Sequence, residues 1–113
     1  MQTQINLPFP PSLNGLFANR KGGRRKTAKY EMWIADATKM LLRQKFKQHT
    51  GHIAVNIFLT KPDNRRRDLD NQNKAICDLL VAHKIIRDDS DIQVLHTAWS
   101  TGNIGAYIIV EDL

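Results

Sequence analysis

Cysteine is nearly absent from this chain of 113 residues, with Cys77 standing alone. A lone thiol closes no intrachain disulfide and builds no cysteine zinc site, so a reducing, cytoplasmic setting is expected. Long apolar runs are missing too. No stretch approaches the ~18 residues that a membrane helix needs, and Met1–Leu7 has neither the basic nor the apolar segment of a secretory leader. No membrane partner is therefore expected. There is no repeat, no low-complexity tract and no linker, which leaves a single domain over residues 1–113. A Walker loop, a dinucleotide glycine motif and a Gly-x-Ser-x-Gly elbow are all lacking. His49, His52, His83 and His96 show no metal-ligand spacing. His83 and Cys77 read as packing residues. With 42% apolar and 25% charged residues, the composition is that of an ordinary globular domain.

Negative charge is missing from the whole of residues 1–29, and that absence is informative. Arg20, Lys21, Arg24, Arg25, Lys26 and Lys29 meet no acid there, and they equal the chain's entire formal excess of +6. A basic segment around Gly22-Gly23 suits a polyanion, because each phosphate neutralised releases condensed counterions. The plainer reading is a solvated basic loop. An anionic membrane surface is the lesser alternative.

Acid is concentrated elsewhere. Seven of the eleven acids lie between Asp63 and Asp91, and all seven are aspartate. Like charges repel, so folding gains nothing from such a cluster unless cations offset it. Short carboxylates are the oxygen ligands that hard ions such as Mg²⁺ prefer. In Asp68-Leu69-Asp70 the two carboxylates diverge inside a helix and converge only where the chain enters one. The plain account makes Asp68 an N-cap and Asp70 a dipole-favoured first-turn acid. Arg65-Arg66-Arg67 directly precede the pair, and Asn71 follows it. Lys74 stands one turn beyond Asp70, with Asp78 a further turn on. This spacing is either a surface charge ladder or a lysine placed to stabilise a phosphoryl transition state. Asp88, Asp89 and Asp91 form a second acidic group, either a polar turn or the rest of a metal site.

Hydropathy patterning supplies the frame. A short first strand at Ile5–Leu7 stops at Pro8-Phe9-Pro10-Pro11. The chain is then expected to loop through the basic window. Trp33, Ala37 and Leu41 mark a helix over about residues 28–48. Ile53, Val55, Ile57 and Leu59 mark a strand over residues 52–60. Leu69, Ile76, Leu80 and His83 mark a second helix over about residues 69–83. Two strands follow, over 92–99 and 104–110, and the link Thr101-Gly102-Asn103 predicts a hairpin. The expected fold is α+β, two layers, in the order β-α-β-α-β-β, with two helices on one face of a four-stranded mixed sheet.

Taken together, Arg66-Arg67-Asp68-Leu69-Asp70-Asn71, Lys74-Ala75, Asp78 and Asp88-Asp89 resemble the RusA family of Holliday-junction resolvases. Leu7-Pro8-Phe9-Pro10-Pro11-Ser12-Leu13-Asn14 is similar to that family's opening pattern. The resemblance spans nearly the whole chain, apart from residues 15–27. It implies a homodimer that uses Mg²⁺ or Mn²⁺ to nick two opposing strands of a four-way DNA junction in recombination and repair. It also implies that Asp68, Asp70 and Asp89 are metal-binding catalytic carboxylates, that Lys74 assists them, and that Asp88 is an adjacent, weaker candidate. Arg67 and Asn71 would flank the site, and the turn from Asn14 to Phe17 would face DNA. Arg65, Arg66 and the window Arg20, Lys21, Arg24, Arg25, Lys26 and Lys29 are assigned to DNA by charge. Two alternatives stay open: a non-catalytic branched-DNA-binding module, and a nuclease of broader branched-DNA specificity.

Overall fold

The computed structural model describes residues 1–113. Its central strand is β4, Ile53–Thr60, in which Ile53, Val55, Ile57 and Leu59 are fully buried. The two-residue period of a strand turns all four side chains toward the helices. For orientation, β2, β3, α1 and α2 are Phe17–Arg20, Gly23–Lys26, Ala28–Leu42 and Asn73–Ala82. On one side of β4, β6 (Gly105–Asp112) runs antiparallel; on the other, β5 (Ile92–Trp99) runs parallel. β1, Gln2–Leu7, pairs antiparallel with β6 and gives the sheet order β1-β6-β4-β5.

The mixed four-stranded sheet is as expected, but the terminal hairpin is not. β5 and β6 do not pair, because β4 lies between them. The link between them instead crosses the end of β4, where Ser100 N donates to Leu59 O at 2.7 Å. The cause is the distribution of apolar residues. β4 is apolar enough for the interior, whereas β5 exposes Gln93, Val94, Leu95 and His96, as an edge strand tolerates. A parallel β4–β5 pair needs a crossover, and α2 supplies it.

Both helices bury their stripes against one face of this sheet. α1 contributes Tyr30, Trp33, Ala37 and Leu41, and α2 contributes Ala75, Ile76, Leu79 and Leu80. With the inward strand residues and Leu16, Ile85 and Ile86 from the connections they form one cluster of 20 buried side chains. Each large apolar side chain so buried contributes about 1.5–3 kcal/mol before entropy is counted.

Two further expectations are corrected. α1 opens at the Thr27 cap, whose hydroxyl accepts from Tyr30 N at 3.2 Å, but it stops at Leu42 rather than near residue 48. The Gln44 amide draws the chain to the rim of β1, accepting from Asn6 N at 2.7 Å and donating to Asn6 O at 2.8 Å. Phe46 then packs on the core. The basic window is not a loop but a hairpin of β2 and β3, which bond only to each other. Gly22 and Gly23, at φ 90° and 126°, supply the left-handed backbone at its tip.

Candidate nucleic-acid and metal site

The segment after β4 bends at residues 62–64, runs irregularly to Asp68, and turns once in 3₁₀ form at Leu69–Gln72 before α2 begins. That turn is the local reason Asp68 and Asp70 can share a surface. Both border a shallow groove of about 480 Å³, together with Leu69, Asn73, Leu95 and Thr97. Thr97 Oγ1 donates to Asn73 Oδ1 at 2.6 Å, which ties the start of α2 to β5 beneath the carboxylates.

Asp68 has the extended backbone of an N-cap, φ −82° and ψ 126°, yet its side chain makes no capping bond. Its nearest partner is Asn71, whose Nδ2 donates to Oδ2 at a long 3.5 Å. The capping explanation for this acid is therefore not realised. Asp70 has neither a hydrogen-bond partner nor an ion pair.

The other aspartates are occupied. Asp63 holds Arg67 at 2.7 Å and Arg65 at 3.1 Å, and these two guanidinium groups pull its carboxyl far below the usual range, Arg67 most. Asp78 takes Lys74 at 3.1 Å. Asp91 is buried and receives two bonds from Arg87, at 3.0 and 3.1 Å. Asp88 caps the turn Asp89–Asp91, accepting from the backbone and hydroxyl of Ser90, and those bonds lower its pKa. Asp68, Asp70, Asp88 and Asp89 are thus the aspartates of this window without a cationic partner, and of these Asp88 is held by Ser90.

Asp89 stands at the start of the turn that packs against α2. With Lys74 and Asp78 it lies close enough to Cys77 to act on that thiol. Burial first, then Asp78 and Asp89, push the Cys77 thiol up to about 11. Asp89 does not line the Asp68–Asp70 groove. No three His, Cys, Asp or Glu side chains converge tightly enough to coordinate one ion. Lys74 turns along α2 to Asp78, not back to Asp70.

The cations flank this surface. Arg67 is half-buried, with its guanidinium 5.2 Å from the Phe9 ring centre. Phe9 in turn stacks on Trp99, which also carries Lys61 at 4.6 Å. Arg66 makes no ion pair and borders a second cleft of about 680 Å³, with Lys29, Phe9, Trp33 and Gln72. On the hairpin, Arg24 and Lys26 project from one face, and Arg20 and Arg25 from the other. Arg24 lies 4.8 Å over Phe17, which meets Tyr30 edge-on. Lys21 is exposed at the hairpin tip, and Asn14 is exposed on the turn Leu13–Gly15.

Sequence reasoning missed two residues. Asp63, which anchors the arginines, was legible only as one acid among seven. Gln72 gave no signal at all. It is buried, its Nε2 donates to Asp68 O at 3.2 Å, and its Oε1 has no partner. An unpaired buried acceptor costs about 1–3 kcal/mol.

Comparison with known proteins places this geometry in a family. The family model described as Endodeoxyribonuclease RusA matches residues 8–111. The chain is 31% identical over 96 residues to the crossover junction endodeoxyribonuclease rusA of Enterobacteria phage HK97, covering 81% of this chain and 80% of the phage protein. It is 34% identical over 94 residues to the crossover junction endodeoxyribonuclease RusA of Aquifex aeolicus, covering 80% and 72%. With the Escherichia coli K12 protein of that name it shares 28% over 89 residues, covering 78% and 74%. The match includes the aspartate segment, the lysine of α2 and the Asp88-Asp89 turn, and the chain belongs to the RusA family of endodeoxyribonucleases.

Proposed function

We propose that this chain is a crossover junction endodeoxyribonuclease that hydrolyses phosphodiesters in four-way DNA by paired, symmetric nicks with Mg²⁺ or Mn²⁺. The supporting observation is the pair of exposed, uncompensated carboxylates, Asp68 and Asp70, directly after Arg66 and Arg67. Mg²⁺ keeps several waters and binds through one or two carboxylates plus substrate phosphate, so an open pair suits it better than a closed cage. Asp68 and Asp70 would hold the ion, and Asp89, which lies outside their groove, would join as a third ligand once the turn that carries it shifts toward them. When bound, the metal lowers the pKa of a water and polarises the phosphoryl oxygen. The chain's own residues do the rest. Arg66 and the hairpin cations draw in the phosphate backbone. Asn71 orients Asp68. Lys74 supplies positive charge beside the reacting phosphate once the DNA competes for it against Asp78.

A four-way junction has approximate two-fold symmetry, so two identical sites match two opposing strands. A homodimer follows, acting on DNA in a bacterial or phage-infected cytoplasm. The helix-free face of the sheet, with Phe58, Tyr107 and exposed Val94, offers apolar area for pairing. No helix is long and apolar enough to cross a membrane. Sedimentation equilibrium should give 26 kDa, about twice the 13.0 kDa chain mass. A 13 kDa species at micromolar concentration counts against the paired-nick scheme.

Asp70→Asn tests the chemistry. Junction binding in EDTA should persist, while nicking in Mg²⁺ should fall by about 10³-fold or more. Undiminished nicking removes Asp70 from the reaction. The second reading, a non-catalytic branched-DNA-binding module, draws on the lack of any three converging ligands. It requires that wild-type chain bind junctions and nick none in either metal.

A further inference from the structure

The second cleft shares no lining residue with the Asp68–Asp70 groove and takes no part in the proposed hydrolysis. Its walls are the Pro8–Pro11 segment, Met32 and Trp33 of α1, and Arg65–Arg67. Phe9 is immobilised between Trp99 and the Arg67 guanidinium, and Trp33 Nε1 donates to Pro8 O at 3.0 Å, so the apolar wall is rigid. Lys29 and Arg66 line the cleft without ion-pair partners, and with Arg65 and Arg67 they outnumber Asp36, the one carboxylate of the lining. Gln72, 1% exposed, lines the cleft, and its Oε1 lacks any hydrogen bond.

We propose that this cleft receives a single unpaired nucleobase drawn out of the branch point of the DNA, with its phosphate held by Lys29 and Arg66. The inference rests on the branched-DNA reading above and deepens it. The cleft volume of about 680 Å³ falls in the range of small-molecule sites and admits one nucleotide. A flat apolar wall with a cationic rim fits a planar base joined to an anion. The orphan acceptor gives the recognition its direction. Every base carries an N–H donor on its Watson–Crick edge, and in duplex that donor is already taken. The amino hydrogens that a duplex leaves free face its grooves, and a stacked pair cannot bring them to a floor residue 1% exposed, so Gln72 accepts only from a base that has left the helix. Bases at a crossover leave the stack at least cost, so capture favours branched over linear DNA.

The same amide links capture to the carboxylates. Gln72 Nε2 holds the main-chain oxygen of Asp68, so a base that draws the buried Oε1 toward it acts on the peptide that carries a carboxylate of the groove.

Met32→Trp tests the proposal, because Met32 is 67% exposed on α1 and a larger side chain there fills the cleft from outside the core. Met32→Ala, which leaves the cleft open, is the control. Binding is measured in EDTA on an immobile four-way junction and on linear duplex of the same sequence. The wild type and Met32→Ala should prefer the junction, and Met32→Trp should lose about tenfold or more of that preference while keeping its duplex affinity. 2-Aminopurine placed at successive crossover positions should change emission at one symmetric pair of sites with the wild type, and at none with Met32→Trp. Full junction preference in a folded Met32→Trp, equal wild-type affinity for the two DNAs, or silent 2-aminopurine at every position would each overturn base capture. The readout needs no metal. Junction nicking that persists when base capture fails leaves the catalytic reading standing, and base capture without nicking leaves the cleft standing.

Discussion

Asp68 and Asp70 differ from their neighbours by what they do not touch. The fold provides Arg65 and Arg67, Lys74, and Arg87 to neutralise the neighbouring acids Asp63, Asp78 and Asp91, and provides no cation for these two. Each of those pairs is local, within four residues, and forms without tertiary constraint. The unpaired carboxylates keep their lone pairs for water or a metal. Cys77 is the contrasting case. It sits on the same helix as Lys74, which favours its thiolate, but burial and the carboxylates of Asp78 and Asp89 outweigh that lysine and push the thiol up to about 11. The thiolate is the reactive form, so Cys77 should resist iodoacetamide at pH 7.5 in the folded protein. Mass spectrometry should find it unmodified there and alkylated in denaturant. Junction nicking should survive the same treatment, and loss of activity with labelling would place the thiol in the site.

Elements read well from sequence where a strict period runs, and poorly where competition between segments decides. β4 is explicit in Ile53, Val55, Ile57 and Leu59, and α1 in Trp33, Ala37 and Leu41. The position of β5 was not explicit. A polar link after Trp99 is compatible with a hairpin, and only the rivalry of β5 and β6 for the edges of β4 decides against it. The end of α1 was hidden for a similar reason, since residues 43–48 carry no breaker and it is the distant Asn6 that captures Gln44. In the site, the unpaired aspartates were legible as a cluster, but that Asp89 lies outside the Asp68–Asp70 groove depends on how its turn packs against α2. The basic window was legible as charge and not as structure, because β3 buries nothing and gives no hydropathy period. Its hairpin form has consequences for binding. Charges on both faces of a narrow ribbon reach phosphates on either side of a groove. Changing Arg24 and Arg25 together to Ala removes one charge from each face. Junction binding should weaken, and the slope of log K against log salt should flatten by about 1–2, as fewer counterions are released. An unchanged slope makes the hairpin a spectator.

At the scale of the whole molecule, the ends of the chain meet at one polar knot that the sequence did not announce. His49 is buried between Thr3 and Asp112, with 2.7 Å contacts to each, and the N-terminal ammonium lies 3.4 Å from Asp112. This knot joins β1, β6 and the segment before β4, so one edge strand, its inner neighbour and the loop after α1 close together. The hydrogen bond from His49 holds the Asp112 carboxyl below its ordinary range, and Asp63 is held lower still by Arg67 and Arg65. A carboxylate whose pKa is depressed by folding stabilises the native state above its unfolded value, near 4, and that contribution drains away as pH falls through the folded values. The melting temperature should therefore hold between about pH 5 and 7 and decline below about pH 4. Asp112→Asn should lower it most at neutral pH, and the gap to wild type should narrow as acid protonates the native carboxylate. Calorimetry from pH 3 to 7 reads both curves, and a gap that stays constant or widens in acid would show that the knot stabilises by shape and hydrogen bonding rather than by charge.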